Sequence, residues 1–198
     1  MNKNNYLRYW WVIPVAILLS QTCFYHKMTH LSEDDLTWVN AYQIGDTCYY
    51  VSNLGDYDIM IIKNIKINNS INPYNSGWLN VSSDYEASAR MVMDFITRFK
   101  YDNSFFIRKD VDSNRLIISV CVFDLSSEDL FPKPGRAMVE TEHFYDCIVL
   151  DENNSHLRYH RREKTVKSFV WSKSKGLVQY TFNDGETFIL KKHKHQEL

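Results

Sequence analysis

Glycine and proline are scarce in this chain, at 6 and 4 of 198 residues, which excludes a collagen-like repeat and argues against a disordered, linker-like polymer. Neither a Gly-rich phosphate loop nor a Gly-x-Ser-x-Gly nucleophile elbow occurs, so the two commonest local signatures of nucleotide and acyl chemistry are missing. The four cysteines include no Cys-x-x-Cys pair, which removes the usual zinc-ribbon and dithiol motifs. Charge of neither sign dominates, the formal net charge being −1. The N-terminal apolar run, Tyr9 to Leu19, is too short to span a bilayer, which takes about 20 residues of helix.

What is present begins with that run. Lys3 and Arg8 precede it, Pro14 interrupts it, and Ser20, Gln21 and Thr22 follow it before Cys23. A short positive stretch, an apolar stretch and a small or polar stretch make an export signal. Its terminal cysteine marks Cys23 as a lipidation site, acyl chains holding the domain on a membrane at about 0.8 kcal/mol per buried methylene. Ser20 and Thr22 depart from the Leu and the small residue that a lipobox favours, so two alternatives stay open: cleavage near Thr22 releasing a periplasmic or secreted domain, and an uncleaved anchor. The expected organisation is a signal at 1–22, a flexible tether at 23–37, an antiparallel β domain at 38–192 and a basic tail at 193–198.

Aromatic residues are abundant, with 13 Tyr and 11 Phe, as in strands packed through rings. Period-two runs predict strands at Thr47–Ser52, Tyr57–Ile67, Tyr85–Lys100, Ser104–Lys109, Arg115–Asp124, Phe144–Leu150, Ser168–Ser172, Leu177–Phe182 and Glu186–Leu190. Asp184-Gly185 between the last two is a strong hairpin signal. Leu125 to Arg136, with Pro132, Pro134 and Gly135, reads as a loop. Eight to ten antiparallel strands without αβ alternation imply a single all-β domain, as a barrel, half-barrel or sandwich. Cys48, Cys121 and Cys147 lie in apolar runs and read as buried thiols, with Cys48–Cys147 or Cys121–Cys147 disulfides as alternatives.

Charge divides along the chain. Residues 1–155 carry 13 Lys or Arg against 20 Asp or Glu, and residues 156–198 carry 10 against 4. Arg158, Arg161, Arg162 and Lys164 could dock on anionic lipid or glycan, while export argues against nucleic acid. Lysines and arginines at sheet edges are the plainer explanation. His156 and His160 have helical ligand spacing but sit in a basic run that repels cations, and His193 and His195 read as part of a frayed tail; no metal and no cofactor is expected. Glu140 and Glu142, two apart, would share one face of a strand, the minimum needed for a glycosidase acid pair. Of the tryptophans, Trp38 and Trp171 open strands and read as core, and Trp78, in the Asn-rich loop 68–80, is the candidate ligand contact.

Taken together, Cys23, Leu36-Thr37-Trp38, Tyr42 to Thr47, Ser52 to Gly55, and Phe169-Val170-Trp171-Ser172-Lys173 followed by Gly176 to Tyr180 and Asp184-Gly185 form a pattern. It resembles a group of small lipoproteins of Bacteroidetes cell envelopes. The resemblance implies envelope location and an all-β fold, and supplies no catalytic residues. The leading expectation is a non-enzymatic, lipid-anchored envelope protein that binds an envelope protein or glycan. A glycan-acting hydrolase, and a structural or assembly module, are the alternatives.

Overall fold

The computed structural model describes residues 27–69, 85–96, 103–123, 125–130, 135–151, 156–157 and 164–195. The expected all-β fold is present as one antiparallel sheet curled into a half-barrel, with a single described helix. Its strands are β1 Thr47–Ser52, β2 Tyr57–Asn68, β3 Ser88–Phe95, β4 Asn103–Lys109, β5 Leu116–Val122, β6 Leu125–Leu130, β7 Gly135–Val139, β8 Glu142–Leu150, β9 His156–Leu157, β10 Val166–Ser172, β11 Gly176–Phe182 and β12 Thr187–Lys194. Their order across the sheet is β7-β8-β10-β11-β12-β1-β2-β3-β4-β5-β6-β9.

Alternation builds the inside. In β1, Cys48 and Tyr50 face the core while Tyr49 and Val51 face out, and β3 buries Ala89, Met91, Met93 and Phe95 in the same way. The curl brings strands that are distant in the sheet order face to face. Phe105 of β4 stacks on Trp171 of β10 with ring centroids 4.3 Å apart, and Phe123, after β5, lies 5.2 Å from Tyr180 of β11. Tyr50, Tyr180, Phe169 and Phe188 fill the remaining interior. Among the described residues the interior of the half-barrel is filled by packed side chains.

Two segments depart from the sequence expectations. Leu125 to Arg136 contains β6 and the start of β7, and its two prolines lie in the sequence between the bounds of these strands. A tight turn at Phe123 lets Val122 pair with Leu125, and Phe123 accepts a left-handed φ of 52° there while packing on its aromatic neighbours. With β9, these strands raise the count to twelve.

The expected tether is the larger correction. From Lys27 onward the chain is part of the domain: the Thr29 N–H donates to the Tyr85 carbonyl at 3.0 Å, Thr29 Oγ1 accepts from the Ala87 N–H at 2.9 Å, and Asn69 brackets the Leu31 backbone. Glu33–Asn40 then forms the helix. Its start is a capping box, in which the Asp35 N–H donates to Ser32 Oγ and the Ser32 N–H donates to the Asp35 carboxylate. Asp35 also receives the Lys109 ammonium at 2.7 Å, and Trp38 and Val39 enter the core. Period-two reading misses this segment because one short, mostly polar helix carries little periodic signal.

A second, smaller apolar cluster lies on the outer face of the sheet. Val139, Phe144, Cys147, Val170 and Val178 form it, as the β7–β8 hairpin folds against the backs of β10, β11 and β12. Cys48, Cys121 and Cys147 are all buried free thiols. Trp38 and Trp171 are core, as expected. Among the described residues no helix is long and apolar enough to cross a membrane.

Candidate functional site

The expected basic tail is in part a strand, since β12 continues to Lys194 and pairs with β1 through Lys194–Thr47 and His193–Cys48. Counting by twos from the buried Phe188 would put Lys192 and Lys194 inside. A bulge at Lys191 changes this: Leu190 pairs with Tyr50 and Lys192 with Tyr49, leaving one residue over. Bulges of this kind re-aim side chains. Beyond it His193 and His195 take the inner face, and Lys192 and Lys194 turn outward, Lys194 lying over the outer Tyr49 ring at 5.5 Å.

Both imidazoles meet one carboxylate. Asp46, fully buried, stands just before β1, where the loop after the helix turns back through Tyr42, Gln43 and Gly45. Its Oδ2 lies 2.9 Å from His193 Nε2 and 3.1 Å from His195 Nδ1, and accepts the Gln43 N–H at 2.7 Å. The two rings are 4.4 Å apart. Tyr42 closes the inner side of the cluster, 5.1 Å from the His193 ring, with its hydroxyl accepting the Leu177 N–H at 2.9 Å. Burial pushes the Tyr42 phenol well above its ordinary range. Burial and the Asp46 carboxylate push the Cys48 thiol up to about 12, so near neutral pH it is a core thiol and not a thiolate.

Beside this cluster, on the outer face, runs a groove of about 290 Å³ between the β7–β8 turn and β12. Val139, Val178 and Ile189 line its floor, and Glu140, Lys175 and Lys191 stand at its rim. Here the expected carboxylate pair is corrected. Val139 pairs with Glu142, so Glu140 is a turn residue with φ of 54° and Glu142 opens the next strand; they do not share a strand face. Each is held by its own lysine, Glu140 by Lys191 and Glu142 by Lys175.

Cys23, Trp78, Arg158, His160, Arg161 and Arg162 lie outside the described residues. Lys164, the described member of the basic group, is engaged with Asp184 at 2.7 Å and with the buried Glu186. Burial lowers its affinity for a proton, but the two carboxylates more than offset that and raise it. His156 belongs to β9, paired to Ser126 of β6. Sequence reasoning missed Asp46, which is far from the histidines along the chain; the His-x-His spacing was the available signal, since period two puts both rings on one face of any strand.

The fold defines the chain as an all-β half-barrel with a capped N-terminal helix. Compared with protein-family models, with curated proteins and with solved structures, it matches none.

Proposed function

We propose that this chain is an exported protein held on a bacterial envelope membrane by lipid on Cys23, and that its half-barrel binds an envelope protein or glycan without catalysing a reaction. The export half rests on the signal-like segment 1–22 and on the resemblance to Bacteroidetes envelope lipoproteins. Only four residue steps separate Cys23 from Lys27, where the described domain begins, a reach of at most about 14 Å. An acylated Cys23 therefore keeps the domain close to the headgroups.

The observation that carries the binding half is the groove between the β7–β8 turn and β12. Among the described residues aromatic rings fill the interior, and the outer groove, mainly polar at its surface with the buried Val139 and Val178 beneath, suits a sugar face or an extended peptide. Glu140 and Glu142 at its rim are each paired with a lysine.

Two measurements test the halves separately. Intact mass of the protein from native membranes is expected to show cleavage before Cys23 plus acyl chains, both lost in Cys23→Ser; an unmodified, soluble wild type refutes the anchor. A photoreactive residue at Thr141, on the groove rim, is expected to crosslink one envelope component in cells. Equal labelling from a site on the far side of the barrel, such as Lys66, would refute the groove as the binding surface.

A further inference from the structure

We propose that Asp46, His193 and His195 form a binding site for a first-row divalent cation, with zinc as the best match. One donor atom from each residue lies within 4.8 Å of the other two. Around a zinc ion with bonds of about 2.0–2.1 Å, tetrahedral ligand atoms stand about 3.3 Å apart. The 2.9 and 3.1 Å separations from Asp46 Oδ2 to the two rings need to open by only a few tenths of an ångström. Two imidazoles and one carboxylate are a nitrogen and oxygen set that selects zinc and its neighbours over calcium or magnesium.

The surroundings support the assignment. Asp46 is fully buried yet gathers three polar partners on one oxygen, and the Gln43 N–H fixes that oxygen, as outer partners commonly orient a ligand. The Lys191 bulge is what turns the two histidines inward and sends Lys192 and Lys194 to the opposite face, so the basic run does not place its ammonium groups against the ion. His195 is exposed at 61 % of its side chain, which leaves an approach route and room for water in the remaining coordination positions. Three protein ligands with an open position are the arrangement of accessible zinc sites, as opposed to closed structural ones. Because Asp46 precedes β1 and the histidines end β12, a bound ion also clamps the last strand to the start of the first. The cluster requires neither lipid attachment nor a ligand in the groove, although His193 also borders that groove.

The test uses the full chain without an affinity tag, stripped of metal by a chelator and titrated with zinc by calorimetry and with cobalt(II) by visible absorption. One equivalent of zinc per chain is expected, with a four-coordinate cobalt spectrum. Loss of a partner that merely orients a ligand costs 10–100-fold in affinity, so removing a direct ligand in His195→Ala is expected to weaken binding by about 100-fold or more. His143→Ala, on the exposed start of β8, is expected to bind as the wild type. Zinc is expected to raise the Tm of the wild type and not that of His195→Ala, and His195→Gln serves if the alanine variant folds poorly. Absence of one-equivalent binding in the wild type, or binding that both His195 variants retain, overturns the proposal.

Discussion

Gly176 leaves little room for a side chain, and its replacement tests how tightly Tyr42 is packed over it. A methyl group there would sit 2.1 Å from the Tyr42 ring and hydroxyl, at a backbone φ of +75°. Two costs combine. The left-handed conformation costs an L-residue about 1–2 kcal/mol, and overpacking adds about 1–3 kcal/mol. Tyr42 cannot step aside cheaply, because its ring lies against Trp171 and His193 and its hydroxyl serves the buried Leu177 N–H. Moving it would strand that donor, at a similar cost. Gly176→Ala is therefore expected to lose about 2–5 kcal/mol. Gly55→Ala is the control, since φ is +94° there but nothing lies within 4 Å of the added methyl group; it carries only the backbone part. In urea, with a slope of about 2 kcal/mol/M, the two midpoints should differ by about 0.5–1.5 M. Equal midpoint losses in the two variants would refute the claim that Tyr42 is pinned over Gly176.

Three further outcomes follow from named contacts. Ser32→Ala removes the side chain that caps the helix and is expected to cost about 1 kcal/mol in urea unfolding; no loss would mean that the segment before Trp38 is not docked. Burial alone would raise the Asp35 carboxyl, but Lys109 and the Ser32 hydrogen bonds hold it below the ordinary value of 3.8. The stability it contributes is thus complete above about pH 4 and is lost as pH falls through its lowered folded value. The midpoint gap between wild type and Asp35→Asn should accordingly close on acidification, and a gap independent of pH would contradict the pairing. Finally, burial and the Asp46 carboxylate hold Cys48 protonated, and burial also raises Cys147. A thiol reagent at mildly alkaline pH is expected to label neither until urea unfolds the chain, and rapid native labelling of either would place it at the surface.

Much of the framework could be read from residues in order. The strands from Thr47 to Ser52 and Tyr57 onward, the pair flanking Asp110 to Asn114, and the closing hairpin through Asp184-Gly185 appear where alternation and turn chemistry put them. These are local properties: side-chain period and the φ tolerance of glycine act within a few residues. The N-terminal helix was less legible, although Ser32 and Asp35 carry the cap signature, because its stability comes from Trp38 and Val39 reaching a core assembled by distant strands.

The candidate site shows the division most clearly. Sequence by itself determined an all-β domain rich in aromatic side chains, and it held a His-x-His pair whose two rings must share one strand face. Only the tertiary structure decided which face that is, because one extra residue at Lys191 reverses the parity of the last strand and no local propensity marks it. Tertiary structure also supplied Asp46, brought to the histidines by the pairing of the first and last strands of the closing sheet. Register between strands far apart in the chain is a property of the whole sheet, set by which side chains can share one core, so it becomes visible only when the sheet is assembled.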